Sequence, residues 1–200
     1  YAINGDPVMR FKPSKNRVGV LFTFISVLLL VACSEPVKVS TATDNVQVLP
    51  YQFVMPELDR QRTIRLYLPP SYQHTDKRYP VIYMHDGQNL FDDKTAYAGE
   101  WGVDESLNLL AEKQGLEVIV VAIDNGADFR MNELSPWENK RFGEAQGKQY
   151  MDFIVEVVKP YIDTNFRSKA DRLHTAIMGS SMGGLISHYA VHAYPEMYSK

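Results

Sequence analysis

A G-x-S-x-G motif near the end of the chain carries the clearest chemical signal in the sequence. Its serine is Ser181, with Gly179 and Gly183 two residues away on either side. This spacing is typical of a strand that turns abruptly into a helix, which leaves the serine strained at the tip with its hydroxyl exposed. Only glycine fits comfortably at the two crowded flanking positions. The motif therefore predicts Ser181 as a nucleophile that attacks a carbonyl carbon.

A serine nucleophile also needs N–H groups that bind the negative charge developing on the carbonyl oxygen. The N–H of Met182 is one candidate, because it follows the serine at a helix N-terminus, where N–H groups lack intrahelical acceptors. A second is expected from the loop that starts at His85, and Gln88 is the candidate there. The alternative for Gln88 is an ordinary polar loop residue.

The general base and acid that a serine nucleophile requires are not evident in this chain. After Ser181, only His188 and His192 could serve as a base. They stand four residues apart, off the apolar face of the predicted helix, which favours exposed helix residues over a catalytic base or a metal pair. We therefore expect the catalytic His and Asp or Glu to be missing, and the chain to be a fragment with little triad catalysis of its own. No metal or other cofactor is expected.

The elements that must position these residues follow from the hydrophobic pattern. Short, continuous apolar runs rich in β-branched residues predict strands covered on both faces, and apolar residues at helical spacing predict helices between them. The predicted buried strands are 81–84, 117–123 and 173–178, the predicted helices are 104–113 and 150–162, and the alternating segment 62–68 predicts a half-buried strand. This alternation predicts an α/β fold with a mostly parallel sheet.

Further candidates lie in the loops that follow these strands. Aromatic residues there could line an acyl pocket or could simply contribute packing: Phe91, Tyr97, Trp101, Phe129 and Trp137. Arg130 and Glu133 are interpreted as a solvated pair rather than a substrate contact. His85 and Asp124 are interpreted as structural residues.

The N-terminal region resembles a bacterial lipoprotein signal. Basic residues after Met9 precede an uncharged run at 18–32, which has the length of a signal-peptide core and is too short to span a bilayer. The run ends in Leu-Val-Ala before Cys33, similar to a lipobox, which implies that Cys33 carries the lipid; the alternative is a small apolar core residue. Ser34 then implies sorting to the outer membrane. We assign 1–8 to an upstream remnant, 9–32 to the lipoprotein signal peptide, 33–50 to a tether and 51–200 to the N-terminal portion of the α/β domain.

Composition and charge narrow the possible partners. The chain is 45% hydrophobic and 22% charged, as expected for a globular domain, and its single cysteine excludes an internal disulfide. The formal net charge is -3. Residues 1–32 contain four basic residues and one acidic residue, so their removal leaves a net charge of -6. An acidic mature chain argues against a nucleic-acid partner.

Several longer segments resemble one family of enzymes. The segments RYPVIYMHDGQNLFD, EWGVDESLNLL, VIVVAIDNG, LSPWENK and HTAIMGSSMGGLISHYAVHAYPEMYSK are similar to the putative esterase family of α/β-hydrolases. That family includes enterochelin esterases, feruloyl esterases, S-formylglutathione hydrolases and, more distantly, mycolyltransferases. The resemblance covers about residues 61–200. It implies an α/β-hydrolase fold truncated after the helix that follows Ser181, with an oxyanion hole at Met182 and Gln88 and ester cleavage through an acyl-enzyme.

Together these features predict a lipid-anchored, extracytoplasmic serine esterase that acts on a small-molecule or polysaccharide-linked ester. Two alternatives remain open. The same nucleophile could transfer an acyl group to an alcohol, or the fold could serve a lipoprotein that binds a ligand without turnover.

Overall fold

A computed structural model describes residues 38–200 of the chain. The strands are β1 (Val46–Val48), β2 (Phe53–Met55), β3 (Arg60–Arg62), β4 (Ile64–Tyr67), β5 (Val81–His85), β6 (Ile119–Ile123) and β7 (Thr175–Met178). The α-helices are α1 (Val103–Gln114), α2 (Arg130–Glu133), α3 (Gly147–Phe153), α4 (Lys159–Asn165) and α5 (Met182–Ala193). The alternation of strand and helix from β5 onwards confirms the predicted α/β class.

The central sheet has five strands in the order β1-β4-β6-β5-β7. Strands β6, β5 and β7 are parallel, whereas β4 and β1 add antiparallel pairs on the β6 side. The chain passes from β5 through α1 to β6 on one side, and later returns to β7 on the other side of β5. In open α/β sheets, ligands bind at the carboxyl ends of the strands where the strand order reverses in this way. Strands β2 and β3 form a separate antiparallel pair.

Helices cover both faces of the sheet, which explains the continuous apolar runs. All five residues of β6 are buried. One apolar cluster packs the sheet against α3, α4 and α5, and a second packs it against α1. The half-buried pattern predicted for 62–68 is wrong at Tyr67, which was expected to face solvent. Tyr67 is buried in the second cluster, because the α1 side of the sheet is also covered.

The predicted helix 150–162 is longer than expected and is not uniform. Helices α3 and α4 are joined by a π-helical segment, Ile154–Val158, so that helical backbone continues from Gly147 to Asn165. Pro160 lies in the first turn of α4. Because proline has no N–H to donate, it cannot complete the regular i→i−4 hydrogen bond, and a local π-type register accommodates that gap.

The N-terminal part of the described chain packs on the sheet. Residues 38–50 fall in the predicted tether, but they include β1, which pairs with β4 in the central sheet. Lys38 donates hydrogen bonds to the carbonyls of Asp93 and Ala96 at 3.1 Å. The upstream remnant, the signal peptide and Cys33 lie outside the described residues. None of the described helices is both long enough and apolar enough to cross a membrane.

Candidate active site

Ser181 occupies the turn between β7 and α5, with its side chain exposed. Its backbone has φ 54° and ψ −118°. This combination belongs to the second residue of a type II′ turn, a position that glycine normally fills. A non-glycine residue in such a region carries strain of about 1–3 kcal/mol. The structure therefore places Ser181 at a strained strand-to-helix turn of the kind expected from the motif.

Close backbone packing explains the two flanking glycines. A Cβ atom on Gly179 would lie 2.9 Å from the Cα of Gly183. The two backbone segments would have to move apart to relieve this contact, which would open the turn. A Cβ atom on Gly183 would lie 3.3 Å from the Cβ of His85. The first residues of α5 are thus pressed against the end of β5, and the turn at Ser181 lies beside the loop that follows β5.

The two residues predicted to donate to the oxyanion, Met182 and Gln88, follow strands that end at the same edge of the sheet. Met84 and Met178 are register partners in the adjacent parallel strands β5 and β7, and each strand ends within a residue of that pair. Met182 is the first residue of α5, so its N–H has no acceptor inside the helix. Gln88 lies in a single 3₁₀ turn, Gly87–Asn89, that begins directly after β5 and Asp86. Both residues are partly buried.

An ion pair that crosses two loops holds the Gln88 turn in place. Asp86 has a left-handed backbone, with φ 59°, and its carboxylate accepts two hydrogen bonds from Arg130, at 2.6 and 2.8 Å. Asn125 donates to the same carboxylate at 2.6 Å, and its backbone N–H donates to the side chain of Gln88 at 3.1 Å. Burial acts to raise the pKa of Asp86, but the hydrogen bonds from Arg130 and Asn125 outweigh it, and the pKa is lowered. Asp86 is therefore ionised at neutral pH.

Sequence reasoning missed Asp86 and Asn125 and misjudged Arg130. Arg130 and Glu133 do not form the predicted solvated pair. Arg130 binds Asp86, whereas Glu133 is buried and accepts hydrogen bonds from Arg60 and Arg62. The Asp-Gly step after a buried strand was the available signal for Asp86, since Asp tolerates the left-handed backbone that a sharp turn requires.

His85 is a buried, neutral residue beneath the site. It is fully inaccessible to solvent, and its Nδ1 lies 2.8 Å from the hydroxyl of Tyr150 on α3. Burial lowers the pKa of His85 to about 4, with the nearby Arg130 acting in the same direction and Asp86 opposing it. This position supports the structural interpretation, because a side chain without solvent access cannot contact a substrate directly.

An open cleft of about 780 Å³ lies at the carboxyl edge of β5 and β6. That volume falls within the range typical of small-molecule sites. The cleft is lined by Gln88, Asn89, Thr95, Tyr97, Asp124, Asn125, Ala127, Asp128 and Arg130. The carboxylate of Asp124 is bound by Arg65 at 2.8 and 2.9 Å. Since Arg130 is likewise paired, Asp128 is the lining residue whose charge has no ion-pair partner among residues 38–200.

Of the five loop aromatic residues, the structure places only Tyr97 in the lining of this cleft, where its side chain is 93% exposed. Phe91 is buried in the core beside α1. Trp101 lines a separate apolar hollow of about 270 Å³. Phe129 lies under the guanidinium of Arg60, and Trp137 packs edge-on against Tyr189.

No base for Ser181 is found among residues 38–200. The hydroxyl of Ser181 makes no hydrogen bond to these residues. His188 and His192 are exposed on α5, as predicted, with ring centroids 4.8 Å apart. The described residues therefore place Ser181 at an exposed turn, but they offer no proton acceptor in contact with its hydroxyl.

Comparison with known proteins identifies the family to which the chain belongs. Residues 55–200 match the family described as "Putative esterase". YbbA of Bacillus subtilis, described as an uncharacterized protein, is 30% identical over 146 residues, which cover 70% of this chain and 54% of that protein. An endo-1,4-beta-xylanase/feruloyl esterase of Xylanibacter ruminicola is 28% identical over 144 residues, covering 70% of this chain and 19% of that protein.

A solved structure shows the same fold. An IroE-like serine hydrolase from Shewanella oneidensis superposes with a TM-score of 0.62 at 24% identity, covering 77% of this chain and 48% of that one. The chain thus spans about half the length of YbbA and of this hydrolase. On its family match and its fold, the chain belongs to the putative esterase family and has the α/β-hydrolase fold predicted from its sequence.

Proposed function

We propose that the whole protein is a serine carboxylic-ester hydrolase that works through an acyl-enzyme at Ser181. One observation carries the proposal, namely the exposed and strained position of Ser181 between β7 and α5. Membership of the esterase family supports the reaction class. The backbone strain at Ser181 is consistent with a functional site, because strained residues of this kind cluster where reactive groups must be held in place.

In this mechanism the Ser181 Oγ bonds to the ester carbonyl carbon, and the N–H groups of Met182 and Gln88 stabilise the oxyanion. The positive end of the α5 dipole adds to that stabilisation. The alcohol leaves with a proton, and water then hydrolyses the acyl-enzyme. The ion pair of Asp86 with Arg130 keeps the Gln88 turn in place, so that little reorganisation is needed as charge develops.

The serine proton requires a base, and we propose that the His and the Asp or Glu of the triad come from the remainder of a longer gene product. The support for this is twofold. No described residue hydrogen bonds to the serine hydroxyl, and the chain covers only 54% of YbbA. We propose a small-molecule or polysaccharide-linked ester as substrate, since the cleft that Gln88 lines is open and of small-molecule size.

The test replaces Ser181 in the full-length gene product and measures hydrolysis of a short-chain p-nitrophenyl ester. Ser181→Ala is expected to lower kcat/KM by about 10³-fold or more, as for other serine nucleophiles. Ser180→Ala is the matched control, because Ser180 is the exposed neighbour in the same turn, and it should retain activity. Ester hydrolysis that survives Ser181→Ala would end the assignment.

Wild-type protein that neither hydrolyses esters nor reacts with a fluorophosphonate would indicate a ligand-binding role. Product formed on an added alcohol would indicate acyl transfer.

We also propose that a lipid on Cys33 anchors the mature protein to a membrane, outside the cytoplasm. The lipobox-like residues before Cys33 support this proposal. Buried acyl chains contribute about 0.8 kcal/mol per CH₂ group, so several chains hold a protein on a membrane without a spanning helix. The full-length protein should therefore partition into the detergent phase, and Cys33→Ala should move it to the aqueous phase. Equal partitioning of the two proteins would exclude the anchor.

A further inference from the structure

Three carboxylates converge at the start of α1, and none of them lines the cleft. Glu100, Asp104 and Glu105 each place one carboxylate oxygen within 4.8 Å of the others. Asp104 is completely buried, Glu100 is partly buried and Glu105 is exposed. The cluster is therefore not a solvated group of surface acids, since its central member has no access to water.

The buried part of this cluster lacks partners. Asp104 Oδ2 accepts hydrogen bonds from the backbone and the hydroxyl of Thr43, at 2.9 and 2.8 Å. Asp104 Oδ1 and Glu100 Oε2 are both buried and have no hydrogen-bond partner among the described residues. No Lys, Arg or His of residues 38–200 forms a salt bridge with any of the three acids. Three adjacent carboxylates thus lack both a cation and part of their hydrogen bonding.

The described residues do not offset the cost of burying this charge. The α1 N-terminus stabilises a nearby carboxylate only weakly. Removing an ionised carboxylate from water costs considerably more, even after the protein relaxes. A bound cation would supply the missing partner for both orphan oxygens.

We propose that Glu100, Asp104 and Glu105 bind a divalent cation, and that this cation is Ca²⁺. The ligands are all carboxylate oxygens, which hard cations prefer, and no His or Cys accompanies them in the cluster. Ca²⁺ accepts six to eight oxygens with flexible geometry, so two bidentate carboxylates and water can complete its shell. The exposed side of Glu105 provides the path for entry and the positions for water. Mg²⁺ demands a stricter octahedron and dehydrates less readily.

The site would connect three parts of the chain. Thr43 belongs to the N-terminal segment, and the three acids belong to α1 and the residues just before it. Both parts contact the loop that carries Gln88. The N–H of Trp101 donates to the carbonyl of Asn89 at 2.9 Å, and the N–H of Val103 donates to Leu90 at 3.1 Å. Ca²⁺ is therefore placed to stabilise the fold around the Gln88 turn without taking part in the reaction.

The experiment uses the whole chain stripped of metal with a chelator, and its readouts do not depend on activity. Tb³⁺, a luminescent substitute for Ca²⁺, should emit on excitation of Trp101, which is the neighbour of Glu100. Ca²⁺ at about 1 mM should quench this emission by competition and raise the Tm, with Mg²⁺ having less effect. Trp101→Phe should abolish the emission but keep the Ca²⁺-dependent rise in Tm, whereas Trp137→Phe should keep both.

Variants of the ligands locate the site. Glu100→Gln and Glu105→Gln should each weaken Ca²⁺ binding by about tenfold or more, because each removes one charged ligand. Glu112→Gln is the matched control, since Glu112 is an exposed acid further along α1, and it should bind Ca²⁺ as the wild type does. The proposal is overturned if Ca²⁺ leaves the Tm of the wild type unchanged, or if Glu105→Gln and Glu112→Gln bind it equally. A Tm that rises on acidification but not with Ca²⁺ would show that the acids share a proton instead.

Discussion

At the scale of single residues, the position of the proposed nucleophile depends on two glycines as much as on the serine. Ser181 adopts a backbone conformation that costs about 1–3 kcal/mol for a residue with a side chain. The surrounding turn holds it there because Gly179 and Gly183 approach each other to within backbone contact. The exposure of Ser181 is therefore a consequence of packing, since a looser turn would let Ser181 relax to an ordinary conformation and withdraw its hydroxyl.

Gly179→Ala tests this dependence. The added Cβ would meet the backbone of Gly183 at 2.9 Å, and backbone cannot move aside as a flexible side chain can. Overpacking of this kind costs about 1–3 kcal/mol, so the free energy of unfolding measured in urea should fall by that amount. Ser180→Ala, in the same turn but exposed, should change it by less than about 0.5 kcal/mol. A Gly179→Ala protein as stable as the control would show that the turn is not closely packed.

At the scale of elements, the sequence pattern predicted those strands, helices and turns that are determined by residues close together in the chain. β5, β6 and β7 were predicted because continuous apolar runs reflect burial on both faces, and α5 because its apolar residues recur at helical spacing. The turn at Ser181 follows from glycine spacing within five residues. The bounds of α1 follow from Gly102 and Gly115, both with positive φ.

What could not be predicted depends on residues far apart in the chain. Arg130 binds Asp86 across 44 positions, and Glu133 binds Arg62 across 71, so nothing in one sequence indicates which charges meet. Arg130 and Glu133 are three positions apart on a single helical turn, which made a local pair plausible. Buried distant partners hold them more strongly than an exposed pair would, because exposed pairs contribute only about 0–1 kcal/mol. The Gln88 turn begins directly after Asp86, so its position depends on the first of these contacts.

At the scale of the whole molecule, His85 links the central sheet to both helical elements beside the site. It ends β5, it bonds to Tyr150 of α3, and it packs against Gly183 of α5. Burial lowers its pKa to about 4, against 6.5 for the same side chain in water. Between these two pH values the unfolded chain binds one more proton at His85 than the folded chain does. The contribution of His85 to the free energy of unfolding is therefore fully present above about pH 6.5 and is lost as the pH falls toward 4.

The pH dependence of global unfolding measures this contribution. From a pKa of about 4 in the folded protein, the linkage relation gives a loss of about 2 kcal/mol at His85 between pH 7.5 and pH 5. Asp86 does not share in this loss, because its pKa is lowered and its stabilisation fades only below about pH 4. Urea titrations at the two pH values should thus show a steep loss in the free energy of unfolding for the wild type and for His74→Gln, whose histidine is exposed. His85→Gln should show a shallower loss. NMR titration of the His85 ring, which should stay neutral down to about pH 5, checks the cause directly. Equal losses in all three proteins, or a ring that protonates near pH 6.5, would show that the core around His85 opens to water and does not exclude the charged form.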